Sequence, residues 1–274
     1  MTLPERMTAP RLREMKRRGE RVVVLTAYDA TMARLFDAAG VDVLLVGDSL
    51  GMVVLGHDST IPVTLDAMVH HTRAVTRGTR RALVVADMPF LSYHTGVDDA
   101  VRNAGRLVQD GGAAAVKVEG GAAVLAVVER LVQIGIPVMG HLGLLPQSVH
   151  QLGGYRRQAT SSEEAARLLG DARALERAGA FALVLESVPA EVAASVTSAL
   201  AIPTIGIGAG PDCDGQVLVS YDMLGLVQGV PSFVKAYADI GAQIRAAASA
   251  YAEDVRQGRF PEAATLAAAR EPRG

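Results

Sequence analysis

The sequence predicts a (β/α)8 TIM barrel, an α/β fold, and three observations carry that prediction. Eight short apolar runs recur at near-even spacing, with helical stretches of three- and four-residue apolar period between them. The 274-residue length is typical of one such barrel. Several runs end in a charged residue, at the place where α/β proteins build their active sites. A doubly wound open sheet competes, but no Gly-x-Gly-x-x-Gly follows the first run, which disfavours its dinucleotide-binding form. No linker is visible, so residues 1–274 read as one domain with a short N-terminal helical extension and a polar C-terminal tail.

In chain order, the basic residues 1–20 predict a short leading helix, and Arg21–Thr26 a first strand. Asp29 can cap a helix that presents Met32, Leu35, Phe36 and Ala39 on one face and ends at Gly40. Val41–Val46 is nearly unbroken apolar sequence, as a strand buried on both faces requires, and it stops at Asp48-Ser49. Asp48 could equally cap the next helix or do chemistry. A loop through Gly56–Pro62 leads to a helix over 63–77. The third strand is Arg81–Asp87, followed by a helix whose inward stripe is Val97, Val101, Ala104 and Val108, stopped by Gly111-Gly112.

Ala113–Glu119 predicts strand four, 121–133 a helix, and Ile136–His141 strand five. After a long Gly- and Arg-containing loop over 142–160, Ser161-Ser-Glu-Glu164 forms a capping box. The helix behind it turns Ala165, Leu168, Leu169, Ala172 and Leu175 inward. Phe181–Glu186 and Pro203–Ile207 are strands six and seven, a short strand near 223–227 the eighth, and 231–256 the final helix.

Composition narrows the function. A formal net charge of −2 leaves no electrostatic footprint for nucleic acid or an anionic membrane. The single Cys213 excludes an intrachain disulfide framework and a cysteine-rich zinc site. No apolar stretch approaches the roughly 18 residues of a membrane span, so a cytoplasmic protein is expected. Only Lys16, Lys117 and Lys235 are lysine in a chain that otherwise uses arginine, which hints that a compact ammonium is wanted at 117.

In a barrel every strand's C-terminal end faces one mouth, so Asp48, Asp87, Lys117, Glu119, His141 and Glu186 share a rim. Clustered carboxylates raise one another's pKa unless a cation joins them. An all-oxygen donor set points to Mg²⁺. Asp48, Asp87 and Glu119 come from neighbouring strands and can converge on one ion. Glu186, across the mouth, is placed as a general base toward a 2-oxo acid whose enolate a metal would stabilise. Gly206–Gly210 resembles a phosphate-cradling loop, but glycines also serve tight turns; His70-His71 reads as a helix-packing pair.

Several segments resemble the ketopantoate hydroxymethyltransferase family: Thr26-Ala-Tyr-Asp29, Val46-Gly-Asp-Ser-Leu-Gly-Met52, Gly56-His-Asp-Ser-Thr60, Lys117-Val-Glu-Gly-Gly121, Gly140-His-Leu-Gly-Leu144, Pro146-Gln-Ser-Val149, Leu152-Gly-Gly-Tyr155 and Gly206-Ile-Gly-Ala-Gly210 with Asp214-Gly-Gln216. They cover the chain in order apart from its ends. The resemblance implies a barrel of the phosphoenolpyruvate mutase and isocitrate lyase type. It implies transfer of the one-carbon unit of 5,10-methylenetetrahydrofolate to 3-methyl-2-oxobutanoate, giving 2-dehydropantoate for pantothenate and coenzyme A synthesis.

It further implies one Mg²⁺ per subunit on Asp48 and Asp87, with Glu119 a further, water-mediated ligand. Asp48, Ser49, Asp87 and Lys117 are implied to bind the oxo acid, His141 to position it, and Glu186 to accept the C3 proton. A homo-oligomer, a decamer, is implied as well. Two departures from the family pattern, Leu145 and the stretch Gly153-Gly-Tyr-Arg-Arg-Gln-Ala159 with Arg156, Arg157 and Ala159, lie in the loop after strand five. Other readings remain open: a Schiff-base aldolase using Lys117, or a non-catalytic binding barrel, which would be expected to have lost rim acids.

Overall fold

The computed structural model describes residues 5–261. The chain divides into two compact units, Met1–Ser220 and Tyr221–Gly274. The first holds a closed barrel of eight parallel strands in sequential order: β1 Val22–Thr26, β2 Val43–Val46, β3 Leu83–Asp87, β4 Ala115–Glu119, β5 Val138–Gly143, β6 Ala182–Glu186, β7 Thr204–Ile207 and β8 Gly215–Leu218. Helices connect them: α1 Ala9–Arg18, α2 Ala30–Ala38, α3 Leu50–Val53, α4 Leu65–Gly78, α5 Val97–Gln109, α6 Leu125–Gln133, α7 Val149–Leu152, α8 Ser162–Arg177 and α9 Ala190–Ala199, with α10 Ser220–Met223 and α11 Ile240–Arg256 after the last strand.

The caps read from sequence form. Asp29 Oδ1 accepts from the backbone N–H groups of Thr31 and Met32, and Ser161 with Glu164 makes a reciprocal capping box. The buried stripes differ in detail. On α2 the buried residues are Ala33 and Phe36 while Leu35 lies exposed, and on α5 they are Ala100, Ala104 and Leu107 rather than the valines. Small residues at the centre of a helix face let it lie close to its neighbours. The approach at Gly78 of α4 is that close: a Cβ there would come within 2.3 Å of the Ala30 carbonyl oxygen.

Two expectations fail. The eighth strand is not near 223–227 but at Gly215–Leu218, paired with β1 (Val22↔Gly215 through Leu25↔Leu218) and β7 (Ile205↔Gly215). Its apolar signal is suppressed because the ring closes tightly there: a Cβ on Gly215 would meet the Val22 carbonyl oxygen at 2.4 Å. The more apolar 223–227 instead begins at the last residue of α10 and turns at Gly225, with φ +67°. The final helix starts at Ile240, not 231, because Asp239 accepts from the Ala242 N–H and sets its first turn. Most of the expected C-terminal tail lies outside the described residues.

The lower barrel is filled by Val22, Val24, Val43, Leu45, Leu83, Val85, Ala115, Met139, Val184, Ile205 and Val217, joined by Met7, Ala9, Leu12 and Met15 from α1 and its approach. This leading segment covers the N-terminal ends of the strands. Met7 N–H donates to the Arg81 carbonyl just before β3, and Arg13 reaches the Ala180 carbonyl before β6. Lys16 Nζ donates to the Thr197 carbonyl and to Asp214 before β8, at 2.7 and 2.9 Å. With that end covered, the barrel presents its chemistry at the other.

Candidate active site

Strand parity builds the site. Alternate residues face the same side of a strand, so the inward core residues fix which later residues also face inward. Val85 leads to Asp87, Ala115 to Lys117 and Glu119, Met139 to His141, and Val184 to Glu186. Register then sets neighbours side by side: Asp87 pairs with Lys117, Glu119 with His141, and Gly143 with Glu186. Asp48 joins them from the turn after β2, where its backbone N–H donates to Asp87 Oδ2 at 3.0 Å. Its carboxylate caps no helix. Instead Asp48 Oδ2 accepts from Gln147 Nε2 at 2.8 Å, which favours the functional reading of this residue.

All six predicted rim residues therefore meet. Lys117 Nζ lies 3.3 Å from Asp87 Oδ1, 3.8 Å from Glu119 Oε1 and 3.1 Å from His141 Nδ1. Burial opposes the lysine's charge, but Asp87, Glu119 and Asp48 outweigh it and hold its pKa well above the ordinary lysine range. A lysine held charged is a poor amine nucleophile, which argues against the Schiff-base reading. His141 Nδ1 faces Lys117 Nζ and lies 3.5 Å from Glu119 Oε1, while its Nε2 lies 3.2 Å from Glu186 Oε2. Burial and the Lys117 charge depress the imidazole pKa, yet the neighbouring Glu119 and Glu186 carboxylates raise it overall.

Glu186 differs from the rest in exposure: its side chain keeps 17% against 3% for His141. It is the rim acid that solvent, and so a substrate, can reach. Ser49 Oγ stands 2.9 Å from the Tyr28 hydroxyl, and His71 Nδ1 lies 2.7 Å from the Tyr28 carbonyl, consistent with packing rather than ligation. The Gly206–Gly210 loop is structural in character. Gly210 adopts φ +81°, a Cβ on it would meet Ala190 Cβ at 2.5 Å, and its carbonyl accepts from Gln216.

Sequence reasoning missed three contributors. Gln147 and Tyr93 are buried at the rim, with the Tyr93 hydroxyl donating to Gln147 Oε1 at 2.7 Å and accepting from the Glu119 N–H at 3.2 Å. Tyr155, in the loop after β5, directs its hydroxyl to Met52 Sδ at 3.6 Å. Partial burial, then the charges of Asp48, Glu186 and Glu119, raise its pKa, which sets it beside the mouth. Gln147 and Tyr155 lie in quoted segments, but nothing in spacing or period marked their roles.

The donor set suits a hard divalent cation. Asp48 and Asp87 are buried side by side; desolvation first, then for Asp48 the charges of Asp87 and Glu119, raise their pKa values. Glu119 is buried too, but the adjacent His141 ring, the Lys117 charge and the Gln147 backbone N–H outweigh burial and lower its pKa. Asp87 Oδ1 and Glu119 Oε1 are buried without a hydrogen bond. Among the described residues no three His, Cys, Asp or Glu side chains are arranged to hold an ion by themselves. Mg²⁺ commonly takes one or two carboxylates and keeps its waters, so the residues present fit it.

Comparison with known proteins agrees with this geometry. The family model described as ketopantoate hydroxymethyltransferase matches residues 6–263. The 3-methyl-2-oxobutanoate hydroxymethyltransferase of Moorella thermoacetica is 59% identical over 263 residues, covering 96% of this chain and 98% of that protein. The Thermobifida fusca protein of the same name is 60% identical over 257 residues, covering 94% and 92%. Among solved structures, a 2,3-dimethylmalate lyase of the phosphoenolpyruvate mutase/isocitrate lyase superfamily superposes with TM-score 0.60 at 21% identity, covering 95% of this chain and 88% of that one. A phosphonopyruvate hydrolase complex with oxalate and Mg²⁺ gives 0.61 at 14% identity, covering 94% and 91%. Those two likenesses are of fold; with the full-length identities above them, this chain belongs to the ketopantoate hydroxymethyltransferase family.

Proposed function

We propose that the protein transfers the one-carbon unit of 5,10-methylenetetrahydrofolate to C3 of 3-methyl-2-oxobutanoate, forming 2-dehydropantoate for pantothenate and coenzyme A synthesis. Glu186 takes the C3 proton, and the electron pair left behind forms the bond to the one-carbon unit. Atom balance then requires one water to supply the hydroxyl and releases tetrahydrofolate. The carrying observation is the pairing of one reachable carboxylate, Glu186, with a buried rim rich in charge.

His141, with its Nε2 3.2 Å from Glu186 Oε2, orients the base, and Lys117 supplies fixed positive charge toward developing oxyanion or substrate carboxylate. Asp48 and Asp87 would hold Mg²⁺, with Glu119 acting through water, and Ser49 joins Asp48, Asp87 and Lys117 in holding the oxo acid. Bound there, the ion would act as a Lewis acid on the 2-oxo group. The reading extends to a cytoplasmic homo-oligomer, a decamer, acting on small molecules. Among the described residues no helix is long and apolar enough to cross a membrane.

The test separates proton removal from transfer. In deuterated water without folate, the protein should exchange the C3 hydrogen of 3-methyl-2-oxobutanoate, and a chelator should suppress the exchange until Mg²⁺ is restored. Exchange indifferent to the chelator would remove the metal from the mechanism. Absence of exchange under every condition would remove enolisation itself.

A further inference from the structure

Gln147 touches both ends of the acidic rim. Its side-chain Nε2 donates to Asp48 Oδ2 at 2.8 Å and to the Met88 carbonyl at 3.0 Å. Its backbone N–H donates to Glu119 Oε2 at 3.1 Å. Asp48 follows β2 and Glu119 ends β4, so one residue of a loop ties together acids from two strands that are not neighbours. The side-chain amide has no rotational freedom in this role. Tyr93 donates to its Oε1, and the same hydroxyl is held by the Glu119 N–H, so a flip would set Nε2 against a donor and Oε1 against a carboxylate.

The loop that carries Gln147 is anchored on the other side of the mouth as well. Leu144 N–H donates to the Glu186 carbonyl and Gln158 N–H to the Ser187 carbonyl, both at 2.8 Å. Between those anchors, after Gly153 and Gly154 with φ +69° and +119°, stand the exposed Tyr155, Arg156 and Arg157. The segment is thus pinned at both ends to the strand carrying the base, and near its start to the carboxylates opposite.

We infer that Gln147, oriented by Tyr93, is a positioning residue that fixes Asp48 and Glu119 for the metal and couples metal occupancy to the seating of the loop over residues 144–158. The inference rests on the metal reading above. A cation drawn in by Asp48 and Glu119 fixes the two acceptors that Gln147 binds, and so fixes the start of the loop. Loss of the side-chain amide releases Asp48 while the backbone N–H still holds Glu119, so the two acids are no longer tied to one residue and the loop responds less to the ion. Partners of this kind, one step removed from a metal, change its affinity by roughly 10–100-fold when removed.

The test uses the whole protein without substrate and reads two quantities: Mg²⁺ affinity by calorimetry, and the rate of trypsin cleavage at Arg156 and Arg157 with and without Mg²⁺. In the wild type, Mg²⁺ should bind and slow cleavage. Gln147→Ala should weaken Mg²⁺ by roughly 10–100-fold and reduce the protection that Mg²⁺ gives against cleavage. Tyr93→Phe, which keeps the ring and removes only the hydroxyl, should shift both readouts in the same direction by less, and decides the matter if Gln147→Ala does not fold. Wild-type affinity and protection in both variants would overturn the inference while leaving the metal reading intact. Faster cleavage with unchanged affinity would reduce Gln147 to a structural brace and overturn it too. No Mg²⁺ binding by the wild type would overturn both readings.

Discussion

At the scale of single residues, the rim shows how position along a strand decides chemistry. Lys117 and Glu119 share a face with Ala115 only because side chains alternate, and a shift of one residue would turn both toward the surrounding helices. Glu186 is the rim acid whose removal should separate binding from chemistry. Glu186→Gln keeps its shape and leaves Asp48, Asp87 and Glu119 untouched, so Mg²⁺ and oxo-acid binding should persist. Exchange of the C3 hydrogen, followed by proton NMR in deuterated water, should fall by at least about 100-fold, the lower range for positioned acid–base catalysis. Exchange at the wild-type rate would take the base role away from Glu186.

The rim acids were legible in the sequence because β3, β4 and β6 each end on an acid after apolar residues, and Asp48 follows the apolar run of β2. Gln147 and Tyr93 were not, for a physical reason. They reach the rim from short turns between strand and helix, where neither period nor spacing reports direction, and their partners lie in distant parts of the chain. The family resemblance marked the segment around Gln147 but gave it no role.

Among elements, β5 and β6 show what close packing demands of a backbone. Gly143 ends β5 with φ +92°, and a Cβ there would sit 2.2 Å from the carbonyl oxygen of Glu186. Gly143→Ala should therefore lower the unfolding midpoint and also slow C3 exchange, since it pushes on the residue bearing the base. Gly170, exposed within α8 with nothing near its missing Cβ, is the control. Gly170→Ala should stabilise by about 0.5–1 kcal/mol in urea unfolding and leave exchange alone. If both substitutions moved exchange equally, the contact at Gly143 would not be what holds Glu186 in place.

Element boundaries followed the same logic in reverse. Seven strands were placed by their apolar runs, and β8 was missed because tight closure requires a glycine where a strand signal would need a branched side chain. The start of α11 was set by one capping side chain, Asp239, inside a stretch whose composition alone looked helical.

For the whole barrel, the leading segment matters more than its place at the end of the chain suggests. Leu12 is fully buried among residues that fill the barrel floor, and Lys16 bonds α1 to the chain before β8. Leu12→Ala should cost about 2–5 kcal/mol, the usual range for emptying such a site. Mg²⁺ affinity, measured where the variant remains folded, should be unchanged, because the affected packing is at the end opposite the rim. A loss below about 1 kcal/mol would show that the floor is looser than its burial implies.

Closure of the ring also governs how the chain can be made. Thr26 and Ser220, which share a hydrogen bond beside the β1–β8 seam, are 194 residues apart. A nascent polypeptide emerging from the ribosome therefore carries β1 with one side unpaired until nearly all of the barrel has been synthesised. During that interval the exposed backbone of β1 is a template for a strand from another molecule, so premature termination before Gly215 would release a product with two raw edges rather than a slightly smaller enzyme.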